Sequence, residues 1–411
     1  MGIFRVIEHT ARALATAPGV EAWFSARHNR LASQRYFEAH LAAGAPGGVR
    51  PRFAGPDLPG GAAVAEAVTR VEDFFSRRYP HAPWKWLASG RALWFGARRL
   101  LDGVEPAARA GLDLYHSPAV PFPRWTRRPG LRRVLTVYDL LPLSQPEFFP
   151  PVAARHQRAV LDRLTSRDWT LCISESTRRD LLARYPVCDP ERSLVIPLAA
   201  EERFRPDADP ARSAAVRERH GVPAGCPYFL GVSTLEPRKN FETVIRAYAR
   251  FVREDPSRPS RLVLVGGAVR ADTGPIFAAL DAEGAEVRGR VVFAGYVADE
   301  DLASLYSGAL AFLYLSFGEG FGLPVLEAMQ CGVPAISADN TSLPEVVGDA
   351  GVLLAAGDEA GVAAQLSVLY RDPARRQALA ARALARARRF SWESFARDTL
   401  AAYRRALDSP P

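Results

Sequence analysis

The 411-residue sequence predicts an α/β protein built on parallel, doubly wound sheets, and three observations carry that prediction. Short apolar, β-branched runs alternate with segments of helical periodicity, the pattern of strands joined by crossover helices. The length is too great for one ordinary core and suits two domains of about 150–200 residues each. Glycine-bearing loops follow strand-like runs, at the carboxyl ends where doubly wound folds bind ligands.

The elements follow in order. MGIFRVIEHTARAL starts on a glycine turn and enters a helix directly. A doubly wound domain ordinarily has a strand before its first glycine loop. Two readings stay open: a domain without its first strand, or a start methionine inside a longer reading frame. The strand-like runs are LRRVLTVYD (131–139), DWTLCIS (168–174), SLVIPL (193–198), YFLGVS (228–233), RLVLVGG (261–267), RVVFAGYV (290–297) and ALAFLYLS (309–316). Ser174 is placed to cap the helix that follows its strand. The polar, proline-punctuated stretch 199–221 reads as a linker running into the first helix of a second domain. In NFETVIRAYARFV, residues Phe241, Val244, Ile245, Tyr248 and Val252 share one helical face. The last forty residues are helical in character almost throughout. The expected domains are 1–205 and 206–390, with a final helix at 391–411. No repeat or low-complexity tract is visible.

Composition excludes several classes. Apolar residues make up 48% of the chain, enough for a substantial core. No run of 18 or more apolar residues appears, so no membrane-spanning helix is predicted, and the N-terminus lacks a signal-peptide pattern. The four cysteines (Cys172, Cys188, Cys226, Cys331) are scattered without CxxC spacing. Free thiols in a reducing cytoplasm fit better than disulfides or a zinc site. The net charge of +8 is moderate, but residues 77–100 hold six Lys/Arg, three tryptophans (Trp84, Trp86, Trp94) and no acid. Anionic lipid headgroups suit that mixture, as does a solvated basic helix with its aromatics turned inward. Nucleic acid is not expected as a partner. The expected location is cytoplasmic, peripheral at the inner membrane face if 77–100 binds lipid.

Two stretches carry chemistry. In GVSTLEPRKN (231–240) a strand ends, a loop follows, and a helix starts near Asn240. Arg238 and Lys239 therefore stand at a positive helix end, a place for a diphosphate. In LSFGEGFGLPVLEAMQCG (315–332) a strand leads through a glycine-rich turn into a helix whose first turn suits Pro324. Gly318, Gly320 and Gly322 allow backbone amides close to a ligand. Glu319 lies in the turn and Glu327 about one helical turn beyond it. Carboxylates of this kind grip sugar or ribose diols, each bond worth roughly 1.5–3 kcal/mol, and they repel phosphate. Asp207 and Asp209 in the DAD triplet lie in the linker, not at a strand end, so no metal is predicted.

These stretches, with FAGYVADEDLASLY and LSFGEGFGLPVLEAMQCGVPAISADNTSLPEVVGDAG, resemble the nucleotide-sugar glycosyltransferases of family 4, the group 1 enzymes. The likeness runs from Leu112 to Phe395 and is strongest at 228–351. It implies a GT-B fold of two Rossmann-like domains facing across a cleft. The donor would bind the C-terminal domain and the acceptor the N-terminal one, with anomeric configuration retained and no metal or other cofactor. It implies that Glu327 holds the donor ribose and that Glu319 faces the transferred sugar beside the backbone of Gly320, Phe321, Gly322 and Leu323. Arg238 and Lys239 would neutralise the leaving diphosphate. Backbone at Tyr296 and Val297 would line the base. LDLYHSP resembles the strand whose histidine, here His116, reaches the transferred sugar; a histidine satisfied in the core is the other reading. TVYD ends in Asp139, at the cleft or capping the next turn. Gly2 in GIFR resembles the glycine loop near the phosphates, and the C-terminal helix resembles the one that crosses back to the first domain.

The expected activity is transfer of a hexose, mannose among the candidates, to a hydroxyl of a glycan acceptor, lipid-linked, in cell-surface polysaccharide synthesis. A GT-B epimerase or phosphorylase-like enzyme and a non-catalytic nucleotide-sugar-binding protein remain alternatives.

Overall fold

A computed structural model describes residues 2–17, 23–24, 52–53, 111–267 and 273–410. The chain divides into two units, 1–115 with 128–131, and 116–127 with 132–411. In the first, α1 (Gly2–Thr16) forms because Val6, Thr10 and Ala13 recur at helical spacing and are buried on one stripe. Gly2 is its first helical residue, so the glycine loop expected at 2–5 is replaced by helix. β1 (Trp23–Phe24) and β2 (Arg52–Phe53) pair in parallel. The basic segment 77–100 lies outside the described residues.

The second unit carries a four-stranded and a six-stranded sheet. The first runs β3-β4-β5-β6: β3 (Leu114–Ser117, with the unit boundary inside it), β4 (Arg132–Val137), β5 (Trp169–Cys172) and β6 (Ser193–Val195). β5 is parallel to both its neighbours. Short α2 (Leu141–Ser144), then α3 (Pro151–Leu161) and α4 (Glu175–Arg184), lie between these strands in sequence. Ser174 caps α4, accepting from the Thr177 amide at 3.1 Å. The expected linker runs through 199–209 into α5 (Pro210–Arg219). There Asp209 caps the helix from the Ala211 and Arg212 amides at 3.0 Å, and Asp207 accepts from the Ser213 hydroxyl at 2.7 Å.

The six-stranded sheet runs β12-β11-β10-β7-β8-β9, parallel throughout. Its strands are β7 (Tyr228–Val232), β8 (Arg261–Val265), β9 (Val291–Gly295), β10 (Ala311–Tyr314), β11 (Ala335–Ala338) and β12 (Val352–Leu354). The helices between them are α6 (Phe241–Glu254), α7 (Gly274–Ala282), α8 (Ala285–Arg288), α9 (Asp299–Ser307), α10 (Leu323–Gln330) and α11 (Leu343–Val347). All five apolar residues predicted to share a face of α6 are buried against this sheet. After β12 come α12 (Glu359–Arg371), α13 (Pro373–Ala387) and α14 (Trp392–Asp408). The C-terminal run is thus broken at 388–391, where Ser391 caps α14 from the Ser394 amide. α14 returns to the first sheet: Arg132 Nε donates to the Ala406 carbonyl at 2.9 Å. Cysteines 172, 188, 226 and 331 are all free. Among the described residues, no helix is long and apolar enough to cross a membrane.

Candidate active site

The order of the six-stranded sheet places the site. From β7 the chain steps outward through β8 and β9; from β10 it steps the other way through β11 and β12. The order reverses between β7 and β10, and ligands of doubly wound sheets bind at such a switch point. β7 feeds the Arg238–Lys239 loop and β10 feeds the Glu319 turn.

The two loops are laced together. The Phe317 amide donates to the Arg238 carbonyl at 2.9 Å. Asn240 Nδ2 donates to the carbonyls of Leu315 (2.9 Å) and Ala356 (2.8 Å). Asn240 has φ 56° and ψ 40°, the left-handed region where asparagine is tolerated better than most side chains. That turn separates the 3₁₀ turn Pro237–Lys239 from α6. A third loop, after β11, supports the acid. Thr341 Oγ1 accepts from the Glu319 amide at 3.0 Å, Ser342 Oγ donates to the Glu319 carbonyl at 2.8 Å, and Asn340 Nδ2 donates to Ser316 O at 3.0 Å.

Three donors converge on Glu319 Oε1: Lys239 Nζ at 2.6 Å, Tyr314 Oη at 3.0 Å and Arg238 Nη1 at 3.1 Å. Only 11% of the Glu319 side chain is exposed. Burial pushes its pKa up, but the Lys239 and Arg238 charges outweigh that and hold it at about 2. Arg238 also donates to the Gly318 carbonyl, and its guanidinium lies 5.5 Å from the Phe149 ring centroid. Its Nε is buried without a hydrogen-bond acceptor among the described residues. The amides of Gly320, Phe321 and Gly322, all buried, likewise find no acceptor there. They precede α10, whose N-cap Gly322 has φ 107°. Orphan donors beside a helix start and two cations make an anion-binding surface.

The segment after β4 packs on this turn. A Cβ on Gly320 would stand 2.3 Å from the Tyr138 carbonyl oxygen, and one on Gly318 would meet Gln145 and Leu141. Glycine is thus needed there for close approach of the chain to itself, not only to a ligand. Gln145 Nε2 donates to Phe317 O at 2.9 Å, and Phe148 stacks on Phe317 with centroids 5.6 Å apart. Glu345 completes the junction: its two oxygens accept from the Glu175 (2.8 Å) and Ser176 (2.7 Å) amides, the first turn of α4.

Asp139 lies in this segment. Its Oδ1 accepts from the Leu141 amide at 3.0 Å, so it does cap the following turn. Burial raises its pKa, against the pull of the nearby Arg238 and Lys239 charges. A carboxyl whose folded pKa lies above its unfolded one loses stability as pH rises past the unfolded value. Asp139→Asn, which keeps the acceptor, should therefore leave the melting temperature at pH 7.5 equal or higher while transfer falls. A melting curve and a rate assay on the same preparation check this; a clear drop in melting temperature contradicts it.

The structure thus gathers Asp139, Arg238, Lys239 and Glu319 with Gly320, Phe321, Gly322 and Leu323. His116 has other neighbours. Its Nε2 meets Thr136 Oγ1 at 2.8 Å and its Nδ1 meets the Tyr403 hydroxyl at 2.6 Å, so neither nitrogen is left for a substrate hydroxyl in this arrangement. Burial lowers its pKa to about 4, which keeps the ring neutral. Glu327 is 6% exposed and accepts from the Tyr306 hydroxyl at 3.1 Å. Val297 is buried two residues past β9, beside Tyr296, which is 72% exposed. Tyr314, Thr341, Ser342 and Glu345 were not singled out by sequence. Tyr314 reads as one more apolar strand residue, and Glu345 as a surface acid in a helix start.

A family model described as "Glycosyl transferases group 1" matches residues 213–386. The O-antigen chain mannosyltransferase B of Escherichia coli is 35% identical over 294 residues, 71% of this chain and 74% of that protein. The serotype-specific mannosyltransferase WbdA of Escherichia coli is 29% identical over 281 residues, 68% of this chain but 34% of WbdA. Among solved structures, Anabaena Alr3699/HepE in complex with UDP and glucose superposes with a TM-score of 0.65. It is 18% identical and the match covers 98% of this chain and 96% of that one, a likeness that shows the GT-B fold. Identity and coverage against the O-antigen enzyme go further: the chain belongs to the group 1 glycosyltransferases.

Proposed function

We propose that this glycosyltransferase moves a hexose, with mannose favoured, from a nucleoside diphosphate sugar to a hydroxyl of a lipid-linked glycan, with retention and without a metal. The observation that carries the reading is the switch-point cluster: Arg238 and Lys239 beside the unbonded amides of 320–322, held against Glu319. Cations and amides suit a diphosphate, and a buried carboxylate suits hydroxyls. The names of the mannosyltransferase relatives support mannose and surface polysaccharide. In this reading 206–390 holds the donor, while 1–205 with the helix at 391–411 holds the acceptor, at the cytoplasmic membrane face.

The chemistry follows from the charges. Arg238 and Lys239 stabilise the diphosphate as the bond from its oxygen to the anomeric carbon breaks and the electron pair leaves with the phosphate. The acceptor oxygen attacks from the same face, and its proton passes to the departing phosphate oxygen. Glu319 orients the sugar through its hydroxyls, and Glu327 holds the ribose while Tyr306 fixes one of its oxygens. The two cations supply the positive charge that a metal supplies elsewhere.

A panel of UDP-glucose, GDP-glucose and GDP-mannose, scored by nucleoside diphosphate release with a glycan acceptor and by NMR of the product's anomeric configuration, tests the whole. An inverted product removes the front-face course. Glu327→Ala should weaken donor affinity about tenfold to a hundredfold, since charge-assisted bonds are worth about 1.5–3 kcal/mol each. Calorimetry with the active donor reads this, and unchanged affinity removes the ribose role.

A further inference from the structure

We propose that Tyr314 is a positioning residue of the transfer reaction, fixing the Glu319 carboxylate and the Lys239 ammonium relative to each other. This rests on the donor-site reading above. Tyr314 is the last residue of β10 and 4% exposed. Its hydroxyl donates to Glu319 Oε1 at 3.0 Å and accepts from Lys239 Nζ at 3.1 Å, while Lys239 donates to the same Oε1 at 2.6 Å. The three groups close a triangle.

Counting donors shows what each corner has left. A phenol has one proton, and that of Tyr314 is committed to Glu319. The hydroxyl therefore cannot donate to a substrate. An ammonium has three protons; two of those on Lys239 face Tyr314 and Glu319, and the third remains for a ligand oxygen. The ligand-facing groups are thus Lys239 and Glu319, and Tyr314 sets their geometry from behind. Its own position is fixed by the strand and by stacking on Phe312, with centroids 5.8 Å apart and planes 22° apart. Lysine is a flexible chain whose charge has no preferred direction of its own. Without the hydroxyl, the ammonium loses one of its two protein partners and the carboxylate one of its three donors, leaving Arg238 alone to anchor the pair. Displacement of reacting groups by about 1 Å lowers rates on the order of a hundredfold.

The test is a double-mutant cycle of wild type, Tyr314→Phe, Glu319→Gln and the double variant. All four are assayed for transfer from GDP-mannose and UDP-glucose. Phenylalanine keeps the ring and the stacking, so melting curves should confirm a folded protein. Tyr314→Phe should lower kcat about tenfold to a hundredfold with a change in KM of no more than about threefold. Because the hydroxyl acts through the Glu319–Lys239 ion pair, which glutamine already removes, the same change in the Glu319→Gln background should lower kcat by no more than about threefold. The acid limb of the pH–rate profile should move to higher pH in Tyr314→Phe, since the carboxylate loses a donor that favours its charged form. Equal losses in both backgrounds, or no loss from Tyr314→Phe, overturn the positioning role while an impaired Glu319→Gln enzyme keeps the donor-site reading intact. A Glu319→Gln enzyme that transfers at the wild-type rate overturns both.

Discussion

Replacing Arg238 and Lys239 together with alanine should lower transfer at least about a thousandfold. Loss of a single preorganised charge-stabilising donor already lowers rates by about a hundredfold to a thousandfold, and here both side-chain cations of the cluster go. The same change inverts the electrostatics of Glu319. In the native protein its carboxyl is held at about 2, below the ordinary 4.5. Its ion pairs therefore add stability fully above 4.5, and that stability is lost as pH falls from there to about 2. Without the cations, burial outweighs the remaining Tyr314 and Ser316 hydrogen bonds and favours the protonated acid. An uncompensated buried charge destabilises by about 3–5 kcal/mol. Melting temperature should then fall, not rise, as pH increases through the carboxylate range. Rates and a pH series of melting curves give two independent readings. Near-native transfer would sink the assignment of these residues to the diphosphate.

Gly320→Ala should be nearly as damaging for a different reason. The added methyl would lie 2.3 Å from the Tyr138 carbonyl oxygen and 3.1 Å from Asp139 Cβ. The carbonyl cannot swing aside freely, because Thr177 Oγ1 donates to it at 3.2 Å and Gln157 Nε2 holds the Asp139 carbonyl at 2.5 Å. The glycine turn at 318–322 and the segment after β4 must separate, at about 1–3 kcal/mol for overpacking of this kind. A hundredfold loss in kcat/KM, on the order expected for a displacement near 1 Å, should accompany a lower melting temperature. Gly357→Ala is the control: a Cβ there meets nothing within 4 Å. If the two variants behave alike, Gly320 is not held by chain-to-chain approach.

Legibility followed the range of the interactions. β4 to β10 were each visible in sequence as apolar runs, because a strand that packs in a layered core leaves that mark locally. The caps at Ser174 and the buried face of α6 were visible for the same reason. β11 and β12, no shorter than β10 and β6, were not singled out. Arg238, Lys239 and Glu319 could be nominated because a charge just past a strand's end has few structural duties. Their mutual pairing could not, since Glu319 lies 80 and 81 residues from its partners. Tyr314 was hidden by its double character, apolar ring in the strand and hydroxyl at the site. Glu345 was hidden because its partners are backbone amides 169 and 170 residues away, which have no residue type to notice. His116 shows the converse: a strand-end histidine invites a ligand role, and only packing reveals that Thr136 and Tyr403 already occupy it.

The reversal of strand order between β7 and β10 also governs assembly. Arg238 and Lys239 follow one of these strands and Glu319 the other, so the cluster exists only after a loop of some eighty residues has closed. Closure entropy for such a loop must be met before any ion pair repays it. β8 and β9 can pair with β7 as the chain emerges; the carboxylate cannot. A fragment ending before β10 therefore holds its two cations without Glu319, and the site is complete only when the second half of the sheet docks.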